Sequence, residues 1–196
     1  TALELARASE QWIRKSMNIL GLKTVYELRG VSCMDLQEVQ EAKKSITVSR
    51  SFGKVVTSFE ELKEALITFT SSVAEKLRGE EKIAKHITVF IQTSRFNERG
   101  EYYGNSSSME LGVASDFTPE LINHAIINLK SIYKAGQGYK RAGIIMTDLQ
   151  DKVGKQMSLL DQESPASNNI LMRSLDKINK RYGRGTAFYA GSGITK

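Results

Sequence analysis

The chain has 196 residues, 40% apolar and 26% charged, a balance that excludes a disordered polar chain and is long enough for one or two folded domains. Its net charge of +6 and pI near 9.3 permit an acidic partner such as nucleic acid without requiring one. A single cysteine, Cys33, excludes an internal disulfide and a cysteine metal cluster, makes a reducing compartment the expectation, and no apolar run approaches the ~20 residues of a membrane helix.

The positive charge is uneven. Residues 151–196 carry 8 Lys and Arg against 4 Asp and Glu, so most of the excess lies in the last quarter. The chain has no initiator Met and begins inside a helical pattern, which reads as a piece of a longer protein. Thr1, with Glu4 three residues on, has the form of a capping box, and the pattern predicts a helix to about Arg14. Residues 15–22 continue that helix or break near Gly21, and a second short helix is predicted over Thr24 to Leu28, stopped by Gly30. Residues 1–36 make a small helical piece with too little core to stand alone. The polar run 37–44 reads as a linker.

Ser45 to Val48 alternates as a half-buried strand does, and leads into Ser49-Arg50-Ser51-Phe52-Gly53-Lys54. Ser58-Phe59-Glu60-Glu61 caps a helix whose Phe59, Leu62, Ala65, Leu66, Phe69, Val73 and Leu77 share one face. His86 to Thr93 is a β-branched run of strand length, and Ser107 to Ala114 is its return strand. Thr118 caps a second helix with Pro119 at its first position, and Leu121, Ile122, Ala125, Ile126, Leu129, Ile132 and Tyr133 are its buried face. Tyr139 to Thr147 is the last strand. The order β-α-β-β-α-β over residues 45–150 predicts an α+β, ferredoxin-like domain: a four-stranded antiparallel sheet with both helices on one face. In that arrangement the first strand pairs beside the third, and the fourth edges the second. The other face of the sheet is left open for a ligand.

Residues 151–168 read as a polar linker holding one apolar island, and Asn169 to Lys180 as a helix with Ile170, Leu171, Leu175 and Ile178 on one side. Arg181-Tyr182-Gly183-Arg184-Gly185 breaks that helix.

Ser49-Arg50-Ser51-Phe52-Gly53 before a capped helix resembles the start of the little-finger domain of the UmuC branch of Y-family translesion DNA polymerases. Glu27-Leu28-Arg29-Gly30-Val31-Ser32-Cys33 is similar to the end of that branch's thumb, and Thr1-Ala2-Leu3-Glu4-Leu5-Ala6 to the tail of the thumb's helix-hairpin-helix region. Leu175-Asp176-Lys177-Ile178-Asn179 and Arg181-Tyr182-Gly183-Arg184-Gly185 resemble its C-terminal extension (residues 169–196), so the resemblance runs in register along the chain. It implies a parent enzyme that copies past damaged bases, with two Mg²⁺ ions on palm carboxylates, one pair in a Ser-x-Asp-Glu motif. No such motif occurs here; the nearest string, Ser174-Leu175-Asp176-Lys177, has Lys where the second carboxylate belongs. No cofactor is therefore expected in this piece, and no polymerase activity from it alone. The resemblance further implies primer–template DNA, the sliding clamp, processed UmuD-type subunits and the recombinase filament as partners, and the SOS response in the bacterial cytoplasm, at the nucleoid, as the setting.

Ser49, Arg50, Ser51 and Lys54 are candidate phosphate contacts, because hydroxyls, cations and backbone N–H groups position a strand without reading its bases. Arg50 shares parity with Ile46 and Val48, so placing it on the open face requires a bulge near Ser49 or a position at the sheet end. Thr93, Ser94, Arg95 and Arg99 at the hairpin connection, and Lys140 and Arg141 opening the last strand, are further candidates. For each of these the alternative is a solvated strand edge. Gln156-Met157-Ser158-Leu159-Leu160 resembles the peptide by which bacterial polymerases bind the sliding clamp, with Leu160 in place of the usual aromatic; the alternative is a minor apolar anchor. Phe52 reads as core, Tyr102 and Tyr103 as hairpin packing, and His86 and His124 as structural. Lys177, Lys180, Arg181 and Arg184 form a basic cluster that meets DNA, meets a protein or is only solvated. The resulting reading is a DNA-binding, clamp-tethering part of an error-prone polymerase. Its rivals are a protein-interaction module without DNA contact of its own and a small-molecule-sensing ferredoxin-like domain.

Overall fold

The computed structural model describes residues 1–33, 42–95, 102–152 and 165–193, with side chains of the last stretch from residue 168 onward. Arg99 and residues 156–160, together with most of the linker 37–44, lie outside the described residues. The chain divides into two compact units, Thr1–Ala42 and Lys43–Lys196.

The first unit holds three short helices, α1 (Ala2–Arg7), α2 (Glu10–Ser16) and α3 (Ile19–Leu28). The Thr1–Glu4 capping box is formed, but the helix it starts ends at Arg7. Ser9 accepts from the Trp12 N–H and Asn18 from the Gly21 N–H, so two further caps divide what periodicity alone reads as one continuous helix. Ile13, Leu22 and Val25 are the buried core of this unit. Arg29 ties its pieces together, donating from Nε to the Ala6 carbonyl at 2.8 Å and from Nη2 to the Ala8 carbonyl at 2.7 Å.

The second unit is α+β, as the element order predicts. Its elements are β1 (Ser45–Val56), α4 (Phe59–Gly79), β2 (Lys82–Thr93), β3 (Gly104–Ser115), α5 (Thr118–Ile132), β4 (Tyr139–Asp151) and α6 (Pro165–Tyr182), then a short 3₁₀ turn, Ala190–Ser192. The four strands form one antiparallel sheet. Ile87, Val89 and Ile91 of β2 and Ala142, Ile144 and Met146 of β4 face α4 and α5, where Leu62, Leu66, Phe69, Val73, Leu77, Leu121, Leu129 and Ile132 close the core.

The strand order is β1-β4-β2-β3, which corrects the expected pairing: the first strand lies beside the fourth, and the fourth is central rather than an edge. The reason is hydrophobic. β2 and β4 alternate buried aliphatic residues along most of their length, whereas β1 buries only Ile46 fully, and the Gly104–Met109 half of β3 is Gly, Asn, Ser and Met with no fully buried residue. Strands with the most apolar surface take the centre, and polar strands take the edges, where unpaired backbone meets water.

Helix starts differ from the expected ones: α3 begins at Ile19 rather than Thr24, α6 begins at Pro165 within the expected linker 151–168 rather than at Asn169, and the cap of α5 shifts by one residue. Ser58 caps α4, accepting from the Glu60 N–H. Thr118, expected as the cap of α5, is instead its first residue, with Phe117 at the cap. Its hydroxyl is taken by Arg78 at 2.9 Å, and Ser115 serves the chain entering α5, its Oγ accepting from the Phe117 N–H.

Arg78 also holds the C-terminal segment. Its Nε and Nη2 donate to the two Asp176 carboxylate oxygens at 2.6 and 2.8 Å, and Nη1 to the Asp116 carbonyl at 2.8 Å. Asn179 clasps the chain after α6, exchanging two 2.9 Å bonds with the backbone of Ala187. Ile67, on the outward side of α4, is buried, and Gly191 lies so close that a Cβ there would sit 2.9 Å from Ile67 Cδ1. Burial also pushes the Tyr189 phenol pKa up.

Arg78 keeps only 7% of its side chain exposed, so Asp176→Ala strands a buried guanidinium. The variant is expected to lose about 1–3 kcal/mol in denaturant unfolding, less than a fully buried pair because water reaches the carboxylate. It is also expected to speed limited proteolysis within residues 169–193. Unchanged protection of that segment would show that the ion pair does not hold it.

Candidate nucleic-acid interface

The register defines the open face row by row. Across β1, β4, β2 and β3 the rows are Ser45, Thr147, His86, Glu110; then Thr47, Ile145, Thr88, Ser108; then Ser49, Gly143, Phe90, Ser106; then Ser51, Arg141, Gln92, Gly104. Eight of these sixteen positions are Ser or Thr and two are Gly. Each alternates with a helix-facing neighbour, so two-residue periodicity carries the hydroxyls to one side. One hydroxyl pair crosses the surface: Thr88 Oγ1 donates to Ser108 Oγ at 2.9 Å.

Arg141 is the cation of this face. Its Nη2 donates to Ser49 Oγ at 2.9 Å, and its guanidinium lies 5.8 Å from the centre of the Phe90 ring. Phe90 lies over Gly143, where a Cβ would come 2.5 Å from both Phe90 Cζ and Ser49 Cβ. Glycine at this central position thus lets an aromatic ring lie low on the sheet. Around it an open depression of ≈ 500 Å³ is bounded by Thr88, Phe90, Gln92, Tyr102, Ser106 and Arg141. The single carboxylate in the four rows, Glu110, is at the opposite end and 3.3 Å from Lys85 Nζ. The face offers hydroxyls, an amide, a guanidinium, the Phe90 ring and the Ile145 side chain, with His86 at its far end. That chemistry fits a phosphate–sugar backbone.

The candidate residues divide. Ser49, Ser51 and Arg141 come together on the open face. Arg50 does not: it pairs with Ala142 and keeps the parity of Ile46 and Val48, on the helix side, exposed only because β1 is an edge. Pairing is regular from Ser45 through Ser51, so no bulge at Ser49 re-aims it. The irregularity comes later, between Ser51 and Val56, where Lys54 is exposed. Thr93 is buried, its hydroxyl accepting from the Tyr103 N–H at 2.9 Å, and so is closed to a phosphate. Ser94 and Arg95 follow the end of β2, with the Arg95 guanidinium 5.3 Å from the Tyr102 ring centre.

Lys140 is the extra residue of a β-bulge: Gln92 pairs with Arg141, and Thr93 with Tyr139. The bulge resets parity, so Tyr139 turns into the core, where its hydroxyl bonds both backbone groups of Lys134 and burial pushes its pKa up. Lys140 Nζ donates to the Gly53 carbonyl at 2.9 Å, tethering the irregular part of β1. His86 stands on the open face, and His124 Nδ1 meets Met109 Sδ at 3.1 Å on the helix side.

Residue type alone does not single out Phe90, Thr47, Thr88, Ser106 and Ser108. The signal for Thr88, Phe90 and Gln92 was present: in the run of residues 86–93, Ile87, Val89 and Ile91 claim one parity and leave the other for the open side. Ser106 and Ser108 need the strand pairing.

Comparison with known proteins places the chain. The model of the impB/mucB/samB family C-terminal domain matches residues 43–159, and that of a domain of unknown function (DUF4113) matches residues 169–196. Protein UmuC of Salmonella typhimurium is 38% identical over 197 aligned positions, covering 100% of this chain and 47% of that protein. Protein SamB of the same species is 40% identical over 195, covering 99% and 46%. DNA polymerase IV of Clostridium acetobutylicum is 24% identical over 154, covering 79% and 37%. The chain thus spans about half the length of the UmuC and SamB proteins it matches. A domain match over more than half of its residues, with end-to-end identity to several members, shows that the chain belongs to the impB/mucB/samB family and corresponds to its UmuC-type C-terminal region.

Proposed function

We propose that this chain is the DNA-holding C-terminal part of an error-prone translesion polymerase, and that the open sheet face lies against the backbone of primer–template DNA. The observation that carries this reading is the composition of that face: Ser and Thr at half its positions, Arg141 at one end and a single distant carboxylate. A relative carrying the name DNA polymerase IV supports it. Contacts to phosphate and sugar hold a template whatever its bases, which suits copying past damage. Ser49, Ser51 and Arg141 bind the strand, and the Phe90–Gly143 floor packs beneath the sugars.

The chemical step belongs to other domains of the parent. Two-metal phosphoryl transfer needs carboxylates free to bind Mg²⁺, and this chain's residues do not fit that need at the nearest string. Both Asp176 oxygens are engaged by Arg78, and Lys177 follows. Residues 156–160 tether the enzyme to the sliding clamp by their Gln and paired Leu side chains. UmuD-type subunits, the recombinase filament, the SOS response and a cytoplasmic location come with the same reading. Among the described residues no helix is long and apolar enough to cross a membrane.

Three outcomes are expected. Arg141→Ala should weaken primer–template binding and lower the slope of log K against log salt by about 0.9, one phosphate contact, in an anisotropy titration. An unchanged slope, or no binding at low salt, refutes the interface and leaves a protein-interaction module. Gly143→Val should lift Phe90 and displace Ser49, costing about 1–3 kcal/mol of stability by overpacking and reducing affinity for the same DNA. Wild-type affinity in a folded variant would exclude this floor from the contact. Gln156→Ala with Leu159→Ala should abolish clamp capture in a pull-down while sparing DNA binding; undiminished capture removes the tether.

A further inference from the structure

We infer that the C-terminal segment carries a second nucleic-acid site, separate from the sheet face, for the phosphodiester backbone of a single strand. The site is a groove of ≈ 630 Å³ between α6 and the end of α4, on the helix layer. Arg173, Lys177 and Lys180 line it from one side of α6, at i, i+4 and i+7. Each is exposed, and none has an ion-pair partner among the described residues. Arg184 extends the row past the helix end. Gly183 and Gly185 flank it with φ of +104° and +80°, the left-handed backbone that turns the chain back, and Asn179 clasps that turn through Ala187. The cations are therefore presented by a docked segment.

Charge favours an anion. Residues 169–193 contain five Lys and Arg against one acid, Asp176. Of the three carboxylates that line the groove, Asp176 is neutralised by Arg78 and Glu75 lies 3.9 Å from Arg184, which leaves Glu81. At ~1.5 Å of rise per residue, Arg173, Lys177 and Lys180 follow one another about 6 Å and about 4.5 Å apart along the axis, so their long side chains can reach successive phosphates of an extended strand.

The lining chooses between an acidic protein and a nucleic acid. No aliphatic or aromatic side chain lines this groove; Leu171, Ile178 and Tyr182 are exposed on the other flank of α6. A protein partner anchors through apolar side chains in a pocket, whereas a phosphate strand binds by charge. The groove has the size of a small-ligand site, enough for a few nucleotides of one strand and too small for a duplex. At the Arg184 end, Phe188 is 52% exposed and lines the adjoining cavity together with Arg184. It offers a ring on which a base stacks.

The test is anisotropy of the full chain with a labelled oligothymidylate and with a blunt duplex across a salt series. The Arg173→Ala, Lys177→Ala, Lys180→Ala triple variant should weaken oligothymidylate binding about tenfold at low salt and flatten its salt slope by about 2, three single-strand contacts. Duplex binding should stay at the wild-type level. Arg141→Ala should show the converse pattern, so failure of this site and failure of the sheet face give different results. Ultraviolet crosslinking of an iodouracil-substituted strand should label the peptide containing Phe188. The inference is overturned if the triple variant leaves oligothymidylate affinity and slope unchanged, if it weakens duplex and single strand equally, or if it loses only capture of a polyglutamate probe.

Discussion

Everything on the open face depends on one constraint: the two central strands bury every second residue under α4 and α5. Ile87, Val89 and Ile91, with Ala142, Ile144 and Met146, cannot leave the core without exposing several fully buried aliphatic side chains. A register slip of one residue would move all of them to water. Their neighbours of the other parity, Thr88, Phe90, Gln92, Arg141 and Gly143, are therefore held on the other side. The open surface is the complement of the core pattern.

Two departures from regularity shape that surface. The bulge at Lys140 changes parity, so Tyr139 enters the core while Arg141 remains outside. The larger irregularity in β1 after Ser51 carries Phe52, Gly53, Lys54 and Val55 out of register, and Lys140 holds it through the Gly53 carbonyl. Both lie at the same end of the sheet, beside the depression that holds Phe90 and Arg141. On the opposite layer one buried arginine has a comparable part. Arg78 joins α4, the approach to α5 and α6 through four donated bonds, and the C-terminal segment gains its basic groove from that docking.

Much of the fold was legible because hydrophobic periodicity records it directly. The β-α-β-β-α-β order and the inner faces of α4 and α5 follow from spacing alone. Helix breaks in the first unit were less legible, since Ser9 and Asn18 read as ordinary polar residues until the chain turns there. The site was legible in part. Residue type points to Ser49, Ser51 and Arg141, and equally to Arg50, which faces the helices, and to Thr93, which is buried. Residue type suggested phosphate contact in each case; only the pairing register separates them.

The sequence by itself determined the element order, the two-residue and helical periodicities, the basic tail and, through motif resemblance, the UmuC branch. These are local properties, carried by neighbours along the chain. The tertiary structure alone decided the strand order β1-β4-β2-β3, the meeting of Ser49 with Arg141 across 92 residues and of Arg78 with Asp176 across 98, and the cover that buries Ile67. Those depend on which apolar surfaces compete for the centre of the sheet and which charges must find partners when buried. That competition is settled only when the whole domain packs.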